Sequence, residues 1–454
     1  MHRGPARAAA GTFIVADQRS TDAPAPPFGS LTGALDSPDM PETAEPVGGA
    51  DSPDVSAAKQ AAQLGLTPDQ YAVLEAADRY AREQLYPLAR RMDEEEWWPH
   101  EAFARVGADG YLGITVPQTY GGAGLDLVSA GLVAEAFSRW NHAFALSWLA
   151  HDNLCVHNLY RHANEAQRRR HLPDLCSGRH LGALALTEPG AGSDALGSMR
   201  TSARRDGDHY VLNGTKLFIT NGPIADVLLT YAKTGSDAGS RGVSAFIVEA
   251  RHSPGLRVAQ KLTKMGFRGS QTGELVFEDC RVPVENRLGA ENGGVGILMT
   301  GLDVERAAIA AICLGVAERA LQLAVDYAKS RKQFGRAIAD FEMIQAKLAD
   351  MYVWIETMRG LIYRVLSAAH GVGALGGGRG LFHAQSAASV LYAAESMARV
   401  VSEALQIHGG GGYIWESEIN RLYRAIKLLE IGAGTSEIRR LIIARELIAS
   451  GESI

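Results

Sequence analysis

The feature that most constrains the fold is a change of hydrophobic period along the 454-residue chain, from helical to strand-like and back to helical. Between residues 181 and 288, short β-rich runs are bounded by Gly, Asp and Asn, which is typical of strands. Apolar residues at helical spacing flank this segment on both sides. The sequence therefore predicts an α+β multidomain chain with a β domain between helical domains. The expected segments are a disordered tail over 1–60, an N-terminal α-helical domain over 61–180, a middle β-barrel or sheet domain over 181–294 and a C-terminal α-helical bundle over 295–454.

Local signals locate several helices. The run 67–70, Thr-Pro-Asp-Gln, predicts a helix start with Thr as N-cap, Pro in the first turn and Gln at the third helical position. The Gly-Gly pair at 293–294 precedes a long apolar helical face. The run 371–380 is rich in Gly but lacks the Lys and Ser/Thr of a P-loop, so an inter-helix loop is expected there. Further helices of the bundle are expected near 341–369, 380–407 and 434–449.

Residues 1–60 are rich in Ala, Pro, Gly, Ser and Asp and show little apolar periodicity, which predicts a disordered tail. Arginines among the first 19 residues suggest a transit peptide, but Asp17 and the acids from Asp36 onward argue against one. The segment contains no convincing secretory signal. We therefore expect a cytoplasmic bacterial protein, with the mitochondrial matrix as the alternative.

Composition argues against several classes of partner and site. A net charge of −6 argues against a nucleic-acid or anionic-membrane partner, and no uncharged apolar run is long enough to span a bilayer. The four cysteines are widely spaced and form no CxxC pair, so buried free thiols are favoured over a zinc site or a disulfide framework. The histidines form no HExxH arrangement, and no metal is assigned.

A glycine-containing loop is the first candidate for a ligand site. Residues 186–194 read Leu-Thr-Glu-Pro-Gly-Ala-Gly-Ser-Asp. Gly190 and Gly192 allow a tight turn in which the backbone approaches a ligand closely, and Ser193 adds a hydroxyl donor. From these residues alone, an ordinary surface loop stays the alternative.

A second motif follows at residues 213–222, Asn-Gly-Thr-Lys-Leu-Phe-Ile-Thr-Asn-Gly. The Asn-Gly dipeptide predicts a hairpin turn, followed by a strand in which Phe218 and Thr220 point to one face. An aromatic ring for stacking and a hydroxyl for hydrogen bonding would suit a flat ligand with polar edges.

These two motifs resemble the flavin-binding segment of the acyl-CoA dehydrogenases, T-E-P-x-A-G-S-D followed by a W-I-T strand. The resemblance runs from about Leu66 to the end and implies that family's fold, with a C-terminal four-helix bundle, and FAD as cofactor. In the family the strand lies against the isoalloxazine ring, so Thr220 would bond near flavin N5, and Phe218 keeps an aromatic face in place of Trp. The FAD contacts that the resemblance implies are Leu184, Leu186, Thr187, Gly192, Ser193, Phe218, Ile219, Thr220, Arg331, Gln333, Phe334, Glu342, Gln406, Gly409, Gly410, Thr435, Ser436 and Glu437.

The catalytic base is the point at which the resemblance becomes specific. Oxidising a saturated thioester needs a base for the α proton and a flavin or nicotinamide to accept the hydride, since no side chain accepts one. Many members of the family carry the base in Y-E-G-T-S, where this chain has Ala433. Isovaleryl-CoA dehydrogenases instead read G-L-D-L-E-R and Y-E-I-G-A-G-T-S-E, and this chain matches them at 301–306 and 429–437. The resemblance therefore implies Glu305 as the base, and the apolar stretch at 307–315 argues against a solvated face for it.

The same branch implies a substrate site. The Ala433 N–H, together with a flavin ribityl hydroxyl, would bond the thioester carbonyl, and Gly432 would leave room for a methyl branch. Two departures from the branch are Glu342 in place of a flavin-contacting Gln and Gly296 in place of a Tyr. The segment around Trp148 is either core packing or part of the acyl cavity. The implied substrate contacts are Ser193, Asp303, Arg306, Gly432 and Ala433.

The resemblance implies an FAD-dependent acyl-CoA dehydrogenase for a short or branched acyl chain that transfers a hydride to flavin N5 and passes electrons to electron-transfer flavoprotein. The R-x-x-F-G run at 331–335 would reach a neighbouring subunit's flavin in a homotetramer, a dimer of dimers. Two alternatives stay open, a flavin oxidase or monooxygenase that uses oxygen and a non-catalytic subunit paired with an active paralogue. The acyl group and its carrier, CoA or a carrier protein, also stay open.

Overall fold

The N-terminal helices begin at the predicted capping signal. The computed structural model describes residues 61–235, 239–369 and 377–450, so the predicted tail over 1–60 lies outside them. Thr67 accepts a hydrogen bond from the Gln70 N–H at 3.2 Å, and the Gln70 side chain accepts one from the Thr67 N–H at 3.1 Å, which confirms the capping box. The helices of this segment are α1 (Pro68–Tyr80), α2 (Tyr86–Glu95), α3 (His100–Ala108), α4 (Leu127–Leu149), α5 (Asn158–His162) and α6 (Glu165–Cys176).

The buried helix α4 continues directly into a π-helical segment, Ala150–His157. Trp148, near the end of α4, is fully buried, and its Nε1 donates to the Tyr111 carbonyl at 2.6 Å. The structure thus places Trp148 in the helical core, which is the packing alternative of the two that its sequence allowed.

The middle segment is a β-sheet. Its strands are β1 (Gly182–Ala185), β2 (Ser202–Asp206), β3 (His209–Thr220), β4 (Val227–Lys233), β5 (Val243–Glu249), β6 (Leu256–Lys261), β7 (Thr272–Pro283) and β8 (Arg287–Leu288). Among the described residues the sheet is eight-stranded, with the order β6-β7-β3-β2-β4-β5-β8 and with β1 paired in parallel with β4. Antiparallel pairing of β3 with β7 places the end of β3 beside the start of β7.

The hairpin turn predicted at Asn213-Gly214 is wrong. Both residues lie inside β3, at a bulge where the register with β7 shifts. The Asn213 side chain pairs with Asp279 on the neighbouring strand, donating at 3.1 Å and accepting at 2.8 Å, so its polar groups bond across the sheet rather than closing a turn. Gly214 is required there because a Cβ would collide with Thr201. The turn lies earlier, at Gly207 (φ +62°), between β2 and β3.

The long helix α7 (Gly294–Ser330) forms the centre of the C-terminal segment, and it begins at the Gly-Gly pair, as the sequence predicted. It packs against α4 and against the C-terminal helices. Within the part of the chain that the structure describes, α7 alone is long and apolar enough to cross a membrane, but 72% of its most apolar window is buried inside the fold. These properties are those of a central core helix.

The helices predicted near 341–369, 380–407 and 434–449 are confirmed as α8 (Glu342–Ala368), α9 (Leu381–His408) and α12 (Ser436–Ser450). A further helix, α11 (Glu418–Ile431), is not among the predicted ones, although its buried residues Ile419, Leu422, Ala425 and Leu429 follow helical spacing. Most of the Gly-rich run predicted as a loop, residues 371–376, lies outside the described residues. The remaining short elements are β9 (Lys332–Gln333), β10 (Arg336–Ala337) and α10 (Gly410–Tyr413).

Candidate active site

Glu305 lies on the first half of α7, and only 6% of it is exposed. Burial raises the pKa of its carboxyl to about 7, against the opposing effect of the positive charges of Arg306 and Arg439. Within the described residues, its carboxylate receives no hydrogen bond. A desolvated carboxylate without a donor, with a pKa near neutrality, has the properties of a general base.

The turn between α11 and α12 carries the second predicted catalytic group. Helix α11 ends with the Gly432 N–H bonded to the Leu428 carbonyl at 2.7 Å, and Ala433 then adopts a left-handed conformation with φ +55°. The Ala433 carbonyl accepts a hydrogen bond from Arg306 Nε at 3.2 Å, which ties the turn to the residue after Glu305. Within the described ranges, nothing accepts a hydrogen bond from the Ala433 N–H. A free backbone donor therefore lies on a turn that is bonded to the helix of the buried carboxylate.

Asp303 and Arg306, predicted as substrate contacts, lie on the same stretch of α7 as Glu305. Both are buried, and Arg306 Nη1 donates to Asp303 Oδ1 at 3.1 Å. Asp303 also pairs with His383 Nδ1 on α9 at 2.6 Å and accepts the Gly378 N–H at 2.7 Å. Its carboxylate thus bonds the chain just before α9 to the part of α7 that carries Glu305. A direct contact with the substrate stays a prediction for both residues.

The predicted flavin loop is fixed by a buried ion pair that was not predicted from the sequence. Lys216 on β3 is fully buried, and its Nζ lies 2.9 Å from Glu188 Oε1 and 2.9 Å from the Leu186 carbonyl. Glu188 also accepts the N–H groups of Arg200 and Thr201, at 2.7 and 3.0 Å. Burial lowers the pKa of Lys216 to about 8, and Glu188 counteracts this. The sequence contains one signal of this ion pair, because Lys216 is a charged residue in the middle of an apolar strand pattern.

The loop and the strand after it are also paired through their backbones. The Leu217 N–H donates to the Thr187 carbonyl at 2.8 Å, and the Thr187 hydroxyl donates back to the Leu217 carbonyl. This pairing brings the predicted residues of the loop, Leu186 and Thr187, beside the end of β3. The structure therefore joins the two motifs that carry the family resemblance.

The end of β3 has the form expected of a surface for a flat ring. Phe218 has φ +63° and is 66% exposed, whereas Ile219 is buried in the sheet core and Thr220 is partly buried. A Cβ added at Gly190 or Gly192 would meet nothing within 4 Å, so the loop backbone is open to a ligand. The exposed aromatic ring and this open loop fit a flavin.

The residues after the turn at Gly432 and Ala433 contribute a further polar site. Ser436 is buried, and its Oγ has no hydrogen-bond partner among the described residues. Together with Thr435 and Glu437 it lines a cavity of about 670 Å³ that α8, α9 and α11 also border. An unsatisfied buried hydroxyl is costly unless a ligand or water bonds it, so this position also fits the predicted cofactor contact.

A third group of predicted FAD residues lies at the surface of the C-terminal segment. The hairpin β9–β10 carries Arg331, Gln333 and Phe334 in exposed positions, and Phe334 is 94% exposed. Exposed residues also include Glu342 at the start of α8 and, at the end of α9, Gln406, Gly409 and Gly410. Outward-facing residues of this kind are what contact with a neighbouring subunit's flavin would require.

A comparison with family models covers nearly the whole described chain. Residues 67–179 match the acyl-CoA dehydrogenase N-terminal domain, 183–280 the middle domain and 292–448 the C-terminal domain. The chain belongs to the acyl-CoA dehydrogenase family. Membership confirms the predicted architecture of helical N-terminal domain, middle sheet domain and helical C-terminal domain.

Relatives within the family are similar over most of their length. The chain is 44% identical to the mitochondrial isovaleryl-CoA dehydrogenase of Pongo abelii over 386 residues, 84% of this chain and 89% of that protein. The structure of butyryl-CoA dehydrogenase from Megasphaera elsdenii aligns with a TM-score of 0.80 at 36% identity, covering 84% of this chain and 99% of the other. The FAD complex of PigA aligns with a TM-score of 0.79 at 32% identity, covering 85% and 99%. Acyl-CoA dehydrogenases are flavoprotein oxidoreductases, so the predicted enzyme class and FAD cofactor are confirmed.

The raised pKa of Glu305 predicts a stability cost that a neutral variant avoids. Between about pH 4.5 and pH 7 the folded carboxyl holds a proton that the unfolded chain has lost, so unfolding becomes easier as pH rises through this window. Glu305→Gln should therefore raise the free energy of unfolding by up to about 3 kcal/mol above pH 7. At pH 4.5 and below, the two proteins should be equally stable. Thermal melts at both pH values check this, and an equal difference at both would contradict it.

Proposed function

We propose that the chain is an FAD-dependent acyl-CoA dehydrogenase that forms a double bond between the α and β carbons of a short or branched acyl-CoA. The observation that carries the proposal is the pairing of the buried Glu305 carboxylate with the turn that presents the free Ala433 N–H. One group removes a proton and the other stabilises the charge that results.

Glu305 supplies the base. Its carboxylate takes the proton from the α carbon, and the negative charge moves onto the thioester carbonyl oxygen. Because its pKa lies near 7, the carboxyl is about half ionised in neutral solution, and its ionised form is more basic than an exposed carboxylate. Apolar residues of α7 around it exclude water from the acceptor oxygen.

The Ala433 N–H stabilises the enolate. It donates to the thioester oxygen as charge develops there, and the rigid turn removes the need to reorient a donor during the reaction. This interaction makes the α proton more acidic and lets a carboxylate of modest basicity remove it.

The end of β3, the 186–194 loop and Thr435–Glu437 would hold FAD, which when bound supplies the acceptor for the hydride that leaves the β carbon. We propose that electron-transfer flavoprotein takes up the electrons. The exposed hairpin that carries Phe334 supports a homotetramer in which this hairpin reaches a neighbouring flavin site. The acidic residues from Asp36 onward support a cytoplasmic rather than a mitochondrial location.

Gly432 supports a branched substrate and gives a testable prediction. Its φ of −71° suits any residue, and an added Cβ would contact only the Leu428 carbonyl at 3.3 Å, so Gly432→Ile should fold. The larger side chain should lower kcat/KM for isovaleryl-CoA about 10- to 100-fold more than for straight-chain butyryl-CoA. Steady-state assays with both substrates measure this ratio. An unchanged ratio would place the branch elsewhere.

Anaerobic titration tests the proposal as a whole. Isovaleryl-CoA should bleach the yellow flavin absorbance of the purified protein, and a panel of straight and branched acyl-CoAs ranks the substrates. A flavin that no acyl-CoA bleaches, or a protein purified without flavin, would contradict it. Peroxide release in air without another acceptor would favour the oxidase alternative.

A further inference from the structure

Two buried arginines donate hydrogen bonds to the carbonyl groups of the turn between α11 and α12, which carries Ala433. Arg439 on α12 is fully buried; its Nη1 donates to the Leu429 carbonyl at 2.9 Å and its Nη2 to the Gly432 carbonyl. Arg306 on α7 donates to the Ala433 carbonyl at 3.2 Å. Successive carbonyls of one turn thus bond guanidinium groups on two different helices.

The bond from Arg439 to Gly432 sets the direction of the Ala433 N–H. In a trans peptide, the C=O of one residue and the N–H of the next point in opposite directions. Because the Gly432 carbonyl points at the Arg439 guanidinium, the Ala433 N–H points away from it. The left-handed conformation of Ala433 is strained for an alanine, so the turn needs interactions that hold it.

Arg439 also acts electrostatically on the base. Burial raises the pKa of Glu305, and the charges of Arg439 and Arg306 oppose this increase. The other charged or titratable groups that act on Arg439 are Cys313 on α7 and Glu395 on α9. The base and the turn therefore depend on the same guanidinium group.

We propose that Arg439 is a positioning residue whose two hydrogen bonds aim the Ala433 N–H at the thioester oxygen and whose charge stabilises the Glu305 carboxylate. This role rests on the function proposed above. A planar guanidinium suits it because its donors have fixed directions, which a lysine ammonium does not reproduce.

Two variants separate the parts of this role. Arg439→Lys keeps the charge and loses the fork of donors, whereas Arg439→Gln loses the charge. Both should lower kcat for isovaleryl-CoA about 10- to 100-fold, with a smaller change in KM, because the N–H bond strengthens in the transition state. Only Arg439→Gln should move the ascending limb of kcat/KM against pH, upward by about one pH unit.

Arg319→Gln is the matched control. Arg319 is buried, as Arg439 is. It lies in the second half of α7, away from Glu305, and pairs with Glu418 and Tyr86. Its loss should lower the melting temperature while the pH limb stays where it is in the parent protein. A loss of stability alone therefore does not produce the predicted signature.

A thermal double-mutant cycle of Arg439→Gln and Glu305→Gln gives a readout that needs no turnover. The two changes in melting temperature should be non-additive at pH 8, where Glu305 is ionised, and closer to additive at pH 5. Additivity at pH 8, or Arg439 variants with kcat within two-fold of the parent and an unmoved pH limb, would overturn the role of Arg439. A parent protein whose flavin no acyl-CoA bleaches would instead overturn the proposed function, so the two failures are distinguishable.

Discussion

Glu305→Gln is expected to slow flavin reduction by isovaleryl-CoA about 10²- to 10⁴-fold, the contribution of a positioned general base. The amide keeps the volume and most of the polarity of the buried side chain but cannot accept the α proton at neutral pH. FAD should remain bound, because Glu305 lies on α7 and not in the loop that resembles the flavin cradle. Anaerobic stopped-flow absorbance measures the rate.

The control for this experiment is Asp326→Asn, which neutralises an exposed carboxylate on the same helix. It should reduce the flavin at the parent rate. If Glu305→Gln also retains the parent rate, Glu305 is not the base, and the branch-specific part of the account fails.

Lys216→Met is expected to destabilise the protein by about 3–5 kcal/mol, because it leaves Glu188 buried without its cation. The loop that Glu188 holds, from Leu186 to Thr201, carries four of the predicted flavin contacts, Leu186, Thr187, Gly192 and Ser193. The purified Lys216→Met variant should therefore also lose FAD. Denaturant unfolding gives the stability, and the ratio of flavin to protein absorbance gives the occupancy.

A second variant separates the buried charge from general packing damage. Lys216→Met with Glu188→Gln removes both charges and should recover part of the stability that the single variant loses, because no unpaired ion stays buried. A double variant as unstable as the single one would show that shape, and not the ion pair, governs this loop.

Much of the architecture is readable from the sequence because its signals are local. The cap at Thr67, the β-rich runs of the middle segment and the Gly-Gly pair before α7 each act within a few residues, and all are found where predicted. The four cysteines are buried and free, also as predicted. The Asn213-Gly214 turn failed because a bond to Asp279, 66 residues away in sequence, overrides the local turn preference.

In the candidate site, too, some residues could be predicted from the sequence, whereas their long-range contacts could not. Glu305 and Ala433 emerged from the family resemblance, but the identity of the groups that hold them did not. Arg439 is separated from Glu305 by more than a hundred residues, and its hydrogen bonds go to backbone carbonyls, which carry no sequence signature. The partnership of Lys216 and Glu188 likewise exists only once the loop folds back on β3.

The most direct test of the account follows the α proton itself. Oxidised protein incubated anaerobically with isovaleryl-CoA in D₂O should introduce deuterium at the α carbon of recovered substrate, as detected by mass spectrometry. The account predicts exchange by the parent protein and by Asp326→Asn, and none above background by Glu305→Gln. Exchange at the parent rate in Glu305→Gln would contradict it.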